Sequence, residues 1–138
     1  MTAAEKKILL VDDDPAFLEI NHLILESAGY QVAEAGSVDQ ALRLLQSDRF
    51  DLLVLDLIME SMDSGFTIAY AVRNDERLRD LPILLLTSAQ ERTGFTFEME
   101  RDQEWMKVDE VAAKPLRPTE LIERVERLLA KTKKETHG

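Results

Sequence analysis

Four aspartates, a pair of hydroxyls and one lysine carry most of the chemical potential of this chain: Asp12-Asp13-Asp14, Asp56, Thr87-Ser88 and Lys114-Pro115. Carboxylates gathered in one place repel one another, and burial disfavours their charged forms, so such a cluster calls for a cation. The donors are all oxygens, and neither His22 nor His137 has metal-ligand or catalytic spacing, which favours a hard divalent ion such as Mg²⁺. A carboxylate beside that ion can act as a nucleophile, while the lysine and the metal offset charge on a phosphoryl group. The Thr87 hydroxyl can donate a hydrogen bond to a phosphoryl oxygen. Taken singly, each residue has an ordinary use: an aspartate run before a helix caps it, an aspartate after a strand makes a turn, a lysine is solvated. The chemistry depends on whether the fold brings them together.

The hydropathy pattern says that it does. Ile8–Val11, Leu52–Leu55 and Ile83–Leu86 are short, near-continuous apolar runs, suited to strands buried on both faces of a parallel sheet. Tyr30–Ala35 and Glu110–Ala113 are weaker strand candidates. Between them lie helical patterns. Pro15–Ala28 carries Phe17, Ile20, Ile24 and Ala28 at helical spacing, with Asp14 placed to cap, Pro15 in the first turn and Gly29 just past the end. Ser37 to Gln40 reads as a capping box before Val38, Leu42 and Leu45. Phe66–Asn74 suits a third helix, and Thr119–Leu129 shows an apolar stripe after Pro118. A β-α unit repeated five times implies an α/β fold, a parallel sheet with helices on both faces. In such sheets the ligand site lies beyond the carboxyl ends of the strands. Asp12, Asp56, Thr87 and Lys114 each follow or end a predicted strand there.

At this point the chain resembles a known family, the receiver domain of two-component response regulators. The resemblance rests on ILLVDDDP (8–15), DLLVLDLIMESMDSG (51–65), PILLLTS (82–88) and AAKP (112–115), in that order, and covers about Lys7 to Leu129. It implies a flavodoxin-like doubly wound sheet of five strands in order 2-1-3-4-5. It also implies that Asp56 is the phosphoacceptor, that Asp12, Asp13 and Asp56 hold Mg²⁺ with the backbone carbonyl of Ile58, that Thr87 is the switch hydroxyl and that Lys114 pairs with the phosphate. The Lys-Pro bond is usually cis in this family. The implied partners are a sensor histidine kinase or phosphotransfer protein and an unnamed downstream protein.

The departures from the family pattern are specific. Glu60 stands where a proline is usual, Ser88 where an alanine is common, and Val111 where a tyrosine or phenylalanine often reports phosphorylation. Ile58 and Ala89, at the positions that influence the attacking water in receivers, offer it no side-chain hydrogen bond. The 26 residues between Thr87 and Lys114 exceed the usual helix and loops, and include Phe95, Phe97 and Trp105. That stretch, Gln90 to Val108, is the expected signalling surface.

Composition narrows the remaining choices. The 138 residues suit one domain, expected over 7–130 between polar tails at 1–6 and 131–138. Apolar residues at 45% and charged residues at 32% mark a globular chain. The absence of cysteine removes disulfides, zinc-thiolate sites and thiol catalysis. Seventeen basic against 27 acidic residues give a formal net charge of −10, poorly suited to a phosphate backbone. No apolar run approaches a membrane span, and Met1 to Lys7 lacks a signal-peptide pattern, so a cytoplasmic stand-alone receiver is expected, without direct nucleic-acid contact or membrane insertion. Two alternatives stay open. A phosphatase of the haloacid dehalogenase type also uses Asp-x-Asp, then Ser or Thr, then Lys, but here the Thr or Val near the motif, the later acidic pair and room for a cap are missing. A degenerate receiver that binds partners without phosphorylation would not need all of Asp12, Asp13, Asp56, Thr87 and Lys114.

Overall fold

Runs of four consecutive buried leucine, isoleucine and valine residues leave the central strands only one place to lie, the middle of a sheet covered on both sides. The computed structural model describes residues 6–56, 64–87 and 108–137, the last seven through their backbone alone. Among these are β1 (Lys7–Val11), α1 (Pro15–Ser27), β2 (Gln31–Ala35), α2 (Val38–Ser47), β3 (Leu52–Asp56), α3 (Ser64–Arg73), β4 (Ile83–Thr87), β5 (Glu110–Ala113) and α4 (Pro118–His137). The strands form one parallel sheet in the order β2-β1-β3-β4-β5, as the family resemblance implies.

The period of two along each strand divides the interior into two layers. Leu9 and Val11, Leu53 and Leu55, and Ile83 and Leu85 face one side, where Ala41 and Leu45 of α2 and Ile68, Ala69 and Val72 of α3 cover them. Ile8 and Leu10, Leu52 and Val54, and Leu84 and Leu86 face the other, under Leu18 and Leu25 of α1 and Leu121, Val125 and Leu128 of α4. A run that is apolar at every position is therefore two alternating faces superimposed.

Helix ends follow their capping chemistry. The Asp14 side chain accepts from the Ala16 N–H at 3.0 Å and starts α1. Gly29 (φ 101°) ends it, with its N–H on the Glu26 carbonyl and the Tyr30 N–H on the Leu25 carbonyl, the paired bonds of a Schellman turn. Ser37 caps α2 through the Gln40 N–H, but the Gln40 side chain reaches back to the Gly36 N–H at 2.7 Å, one residue earlier than the simple capping box. α4 continues helically to His137, past the boundary read from its apolar stripe, through residues expected as a polar tail. Among the described residues no helix is long and apolar enough to cross a membrane. The expected helix between β4 and β5, with Ser88, Ala89, Phe95, Phe97 and Trp105, lies outside the described residues, as do Ile58 and Glu60.

Two polar clamps fix the outer strand. Arg73, at the end of α3, donates to the Arg79 and Leu81 carbonyls and to Asp109, whose carboxylate also accepts from the Ile83 N–H at 2.8 Å. Glu110 at the start of β5 accepts from Arg124 Nη1 and from Arg127 Nε and Nη2, each at 2.8 Å, tying the strand to α4. Hydrogen bonding to Arg127, against a burial penalty and helped by the charge of Arg127 and by Arg124, holds the Glu110 carboxyl below its ordinary value. A carboxyl with a depressed folded-state pKa contributes stability above its unfolded-state value and loses it as pH falls through the folded-state value. Glu110→Gln is therefore expected to lower stability at neutral pH by roughly 1 kcal/mol. The gap between variant and wild type should close in urea melts taken below the ordinary glutamate range; a gap independent of pH would refute the assignment.

Candidate functional site

The strand register decides which side chains meet. Val11 lies beside Leu55, Asp56 beside Leu86, and Thr87 beside Ala113, so Asp12, Asp56, Thr87 and Lys114 all emerge at the carboxyl edge of four adjacent strands. The Lys114 N–H donates to the Thr87 carbonyl at 2.6 Å, and the Lys114-Pro115 bond is cis.

The three consecutive aspartates have separate fates. Asp12 is buried; its Oδ1 accepts from the Asp14 N–H at 2.9 Å and its Oδ2 from Lys114 Nζ at 2.6 Å. Asp13 is exposed at the rim, and Asp14 spends its carboxylate on the helix cap. The ordinary capping reading is thus right for Asp14 and wrong for its neighbours. Carboxylate oxygens of Asp12, Asp13 and Asp56 lie within 4.8 Å of one another. Three carboxylate oxygens gathered so closely are the donor set a hard divalent ion takes, and these residues would hold Mg²⁺.

Charge supports the same fit. Lys114 Nζ is 2.6 Å from Asp12 and 3.4 Å from Asp56. Burial works to lower the lysine pKa, yet the hydrogen bond to Asp12 and the charges of Asp56 and Asp12 outweigh it and hold the ammonium above its ordinary value. One ammonium against three carboxylates leaves two negative charges, the amount a divalent cation offsets. Asp56 and Thr87 are both only 4% exposed. An acidic nucleophile, a hydroxyl donor and an ammonium around an oxygen-donor site are the parts needed to capture a phosphoryl group on a carboxylate.

Sequence reasoning missed one participant. Phe17 was legible only as an apolar residue of the α1 stripe, but its ring lies under Lys114 Nζ, 4.3 Å from ammonium to ring centroid. Its place in the first helical turn, just beyond the acidic run, was the available signal. Val111, the position where family members often carry an aromatic, is partly buried against the core beside Leu85.

Comparison with known proteins agrees with this geometry. A family model described as the response regulator receiver domain matches residues 8–126. The DNA-binding dual master transcriptional regulator RpaA of Synechocystis is 36% identical over 129 residues, which cover 91% of this chain and 50% of that protein. The chain spans about half the length of the curated relatives it matches. Among solved structures, a putative response regulator from Chloroflexus aurantiacus is 33% identical with a TM-score of 0.78, over 91% of this chain and 98% of that one. The response regulator TrrA of Thermotoga maritima, in complex with Mg²⁺ and BeF, is 30% identical with a TM-score of 0.73, over 89% and 98%.

Proposed function

The chain belongs to the response regulator receiver domain family, and from that premise we propose that residues 7–130 act as a phosphorylation-activated switch of a two-component phosphorelay. Asp56 accepts the phosphoryl group from a histidine kinase, a phosphotransfer protein or a small phosphodonor. The observation that carries this reading is the meeting of Asp12, Asp13 and Asp56 with Lys114 at one sheet edge. The phosphatase alternative gives way to the family match, and the intact acidic site argues against a degenerate receiver.

In the proposed reaction a carboxylate oxygen of Asp56 attacks phosphorus, forming the acyl phosphate as the bond from phosphorus to the donor atom breaks. The leaving imidazole or carboxylate departs with the electron pair. Asp12, Asp13 and Asp56, with the Ile58 carbonyl by resemblance to the family, would hold Mg²⁺, which when bound supplies charge neutralisation at the phosphoryl oxygens. Lys114 shifts from Asp12 toward the new phosphoryl oxygens, and the Thr87 hydroxyl donates to one of them. A surface with a formal net charge of −10 disfavours direct contact between this domain and a phosphate backbone, and output through a partner protein is part of the proposal. The direct test is intact mass after incubation with Mg²⁺ and acetyl phosphate, wild type against Asp56→Asn.

Decay of the phosphorylated form is expected to be slow. Hydrolysis needs a water aligned against phosphorus, and neither Ile58 nor Ala89 has a side-chain polar group to orient it. The double substitution Ile58→Asn, Ala89→Glu should speed loss of phosphate about ten-fold, less than the roughly 100-fold or more of a fully positioned acid-base group, because these side chains only orient the water. A wild type that decays faster than this variant would reverse the assignment.

A further inference from the structure

We propose that Phe17 is a positioning residue for Lys114, holding the ammonium in the site through the face of its ring while the carboxylates change partners. The inference deepens the receiver reading and rests on it. Lys114 Nζ is ringed by three groups: Asp12 at 2.6 Å, Asp56 at 3.4 Å and the Phe17 ring at 4.3 Å from its centroid. A cation within about 6 Å of a ring centroid and over its face is attracted by the ring quadrupole.

The three contacts differ in what phosphorylation asks of them. Asp12 and Asp56 must both serve the metal, and Asp56 also becomes the phosphoryl carrier, so both present anchors of the lysine are committed elsewhere during the reaction. The ring has no part in holding the metal or the phosphoryl group. Phe17 is held by the first turn of α1, whose start is set by the Asp14 cap and by the Asp14 N–H on Asp12. The rest of its surface packs on the layer formed by α1 and α4. The acidic pair and the ring are thus placed by one rigid turn, and the lysine can swing between them without leaving the site. With Val111 in place of an aromatic on β5, Phe17 is also the aromatic side chain seen in contact with the site lysine among the described residues.

The test compares Phe17→Leu, which keeps apolar bulk but removes the ring, with Phe17→Tyr, which restores a ring; Phe17→Met serves in parallel where the leucine variant melts several degrees lower. Two readouts are taken. In metal-free protein, the Lys114 ε-methylene protons should be shifted upfield by the ring current in wild type and Phe17→Tyr, and return to an ordinary lysine position in Phe17→Leu. With Mg²⁺ and acetyl phosphate, the initial rate of phosphoryl uptake should fall about three- to ten-fold in Phe17→Leu and recover in Phe17→Tyr. Uptake by Phe17→Leu at the wild-type rate overturns the inference. So does a Phe17→Tyr variant that keeps the wild-type melting temperature yet is as slow as Phe17→Leu. A wild type that takes up no phosphoryl group overturns the receiver reading instead, while an ordinary Lys114 signal in metal-free wild type overturns the ring contact whatever the uptake result.

Discussion

Asp56→Asn is expected to take up no phosphoryl group from acetyl phosphate and Mg²⁺ over a period in which wild type is fully modified. The amide keeps the shape of the side chain at the end of β3 and removes the nucleophilic oxygen charge, so loss of uptake reports chemistry and not packing. Asp13→Ala should retain Asp56 but fall by at least about 100-fold, the scale on which removal of a group stabilising transition-state charge is felt. Lys114→Ala should fall comparably, because its ammonium lies 3.4 Å from Asp56. Intact mass and a phosphate-release assay measure all three. Modification of Asp56→Asn at the wild-type rate would remove Asp56 from the role given to it.

The second large effect is on stability. Mg²⁺ at 100 times its dissociation constant is expected to stabilise the folded protein by roughly 2.7 kcal/mol, or about 9 °C for a chain of this size. Asp13→Ala and Asp56→Asn should lose most of that rise. The three carboxylates do not respond alike when metal is absent. Asp12 already has Lys114 and the Asp14 N–H as partners, so Asp12→Ala leaves a helix-start donor without its acceptor and the Lys114 ammonium with the longer Asp56 contact, and lowers the melting temperature. Asp13 is exposed, and Asp13→Asn should leave the metal-free protein unchanged or slightly more stable by removing repulsion. Thermal melts with Mg²⁺ and with chelator decide the matter; an unchanged melting temperature at saturating millimolar Mg²⁺ would exclude a metal site here.

Much of this was legible before any coordinates, and the reasons are local. Ile8–Val11, Leu52–Leu55 and Ile83–Leu86 are too short and too uniformly apolar to be anything but strands buried on both faces. Asp14, Pro15, Gly29 and Ser37 mark helix ends by their own backbone chemistry. Once the strands are known, the rule that sites lie beyond their carboxyl ends selects Asp12, Asp56, Thr87 and Lys114 without reference to distance. The family resemblance then gave these positions roles, and the match over residues 8–126 shows the family itself.

Tertiary structure decided what local pattern cannot carry. Asp12, Asp13 and Asp14 are chemically identical, and only the way the chain turns from β1 into α1 makes the first a lysine partner, the second a rim carboxylate and the third a cap. Phe17 read as one apolar position in a stripe, because helical spacing reports which face is buried and not what lies against it; the contact with Lys114 joins residues 97 positions apart. The Arg73–Asp109 clamp joins residues 36 apart and had no sequence signal at all. The continuation of α4 to His137 escaped the apolar stripe because polar residues extend a helix already nucleated by its packed turns. Among the described residues, sequence by itself determined the strands and helices, their burial and the chemistry available at the sheet edge, since these follow from periodicity and residue type. Which of those groups touch was settled by the register of four strands and one helical turn, because pairing across the fold depends on distances that no local window contains.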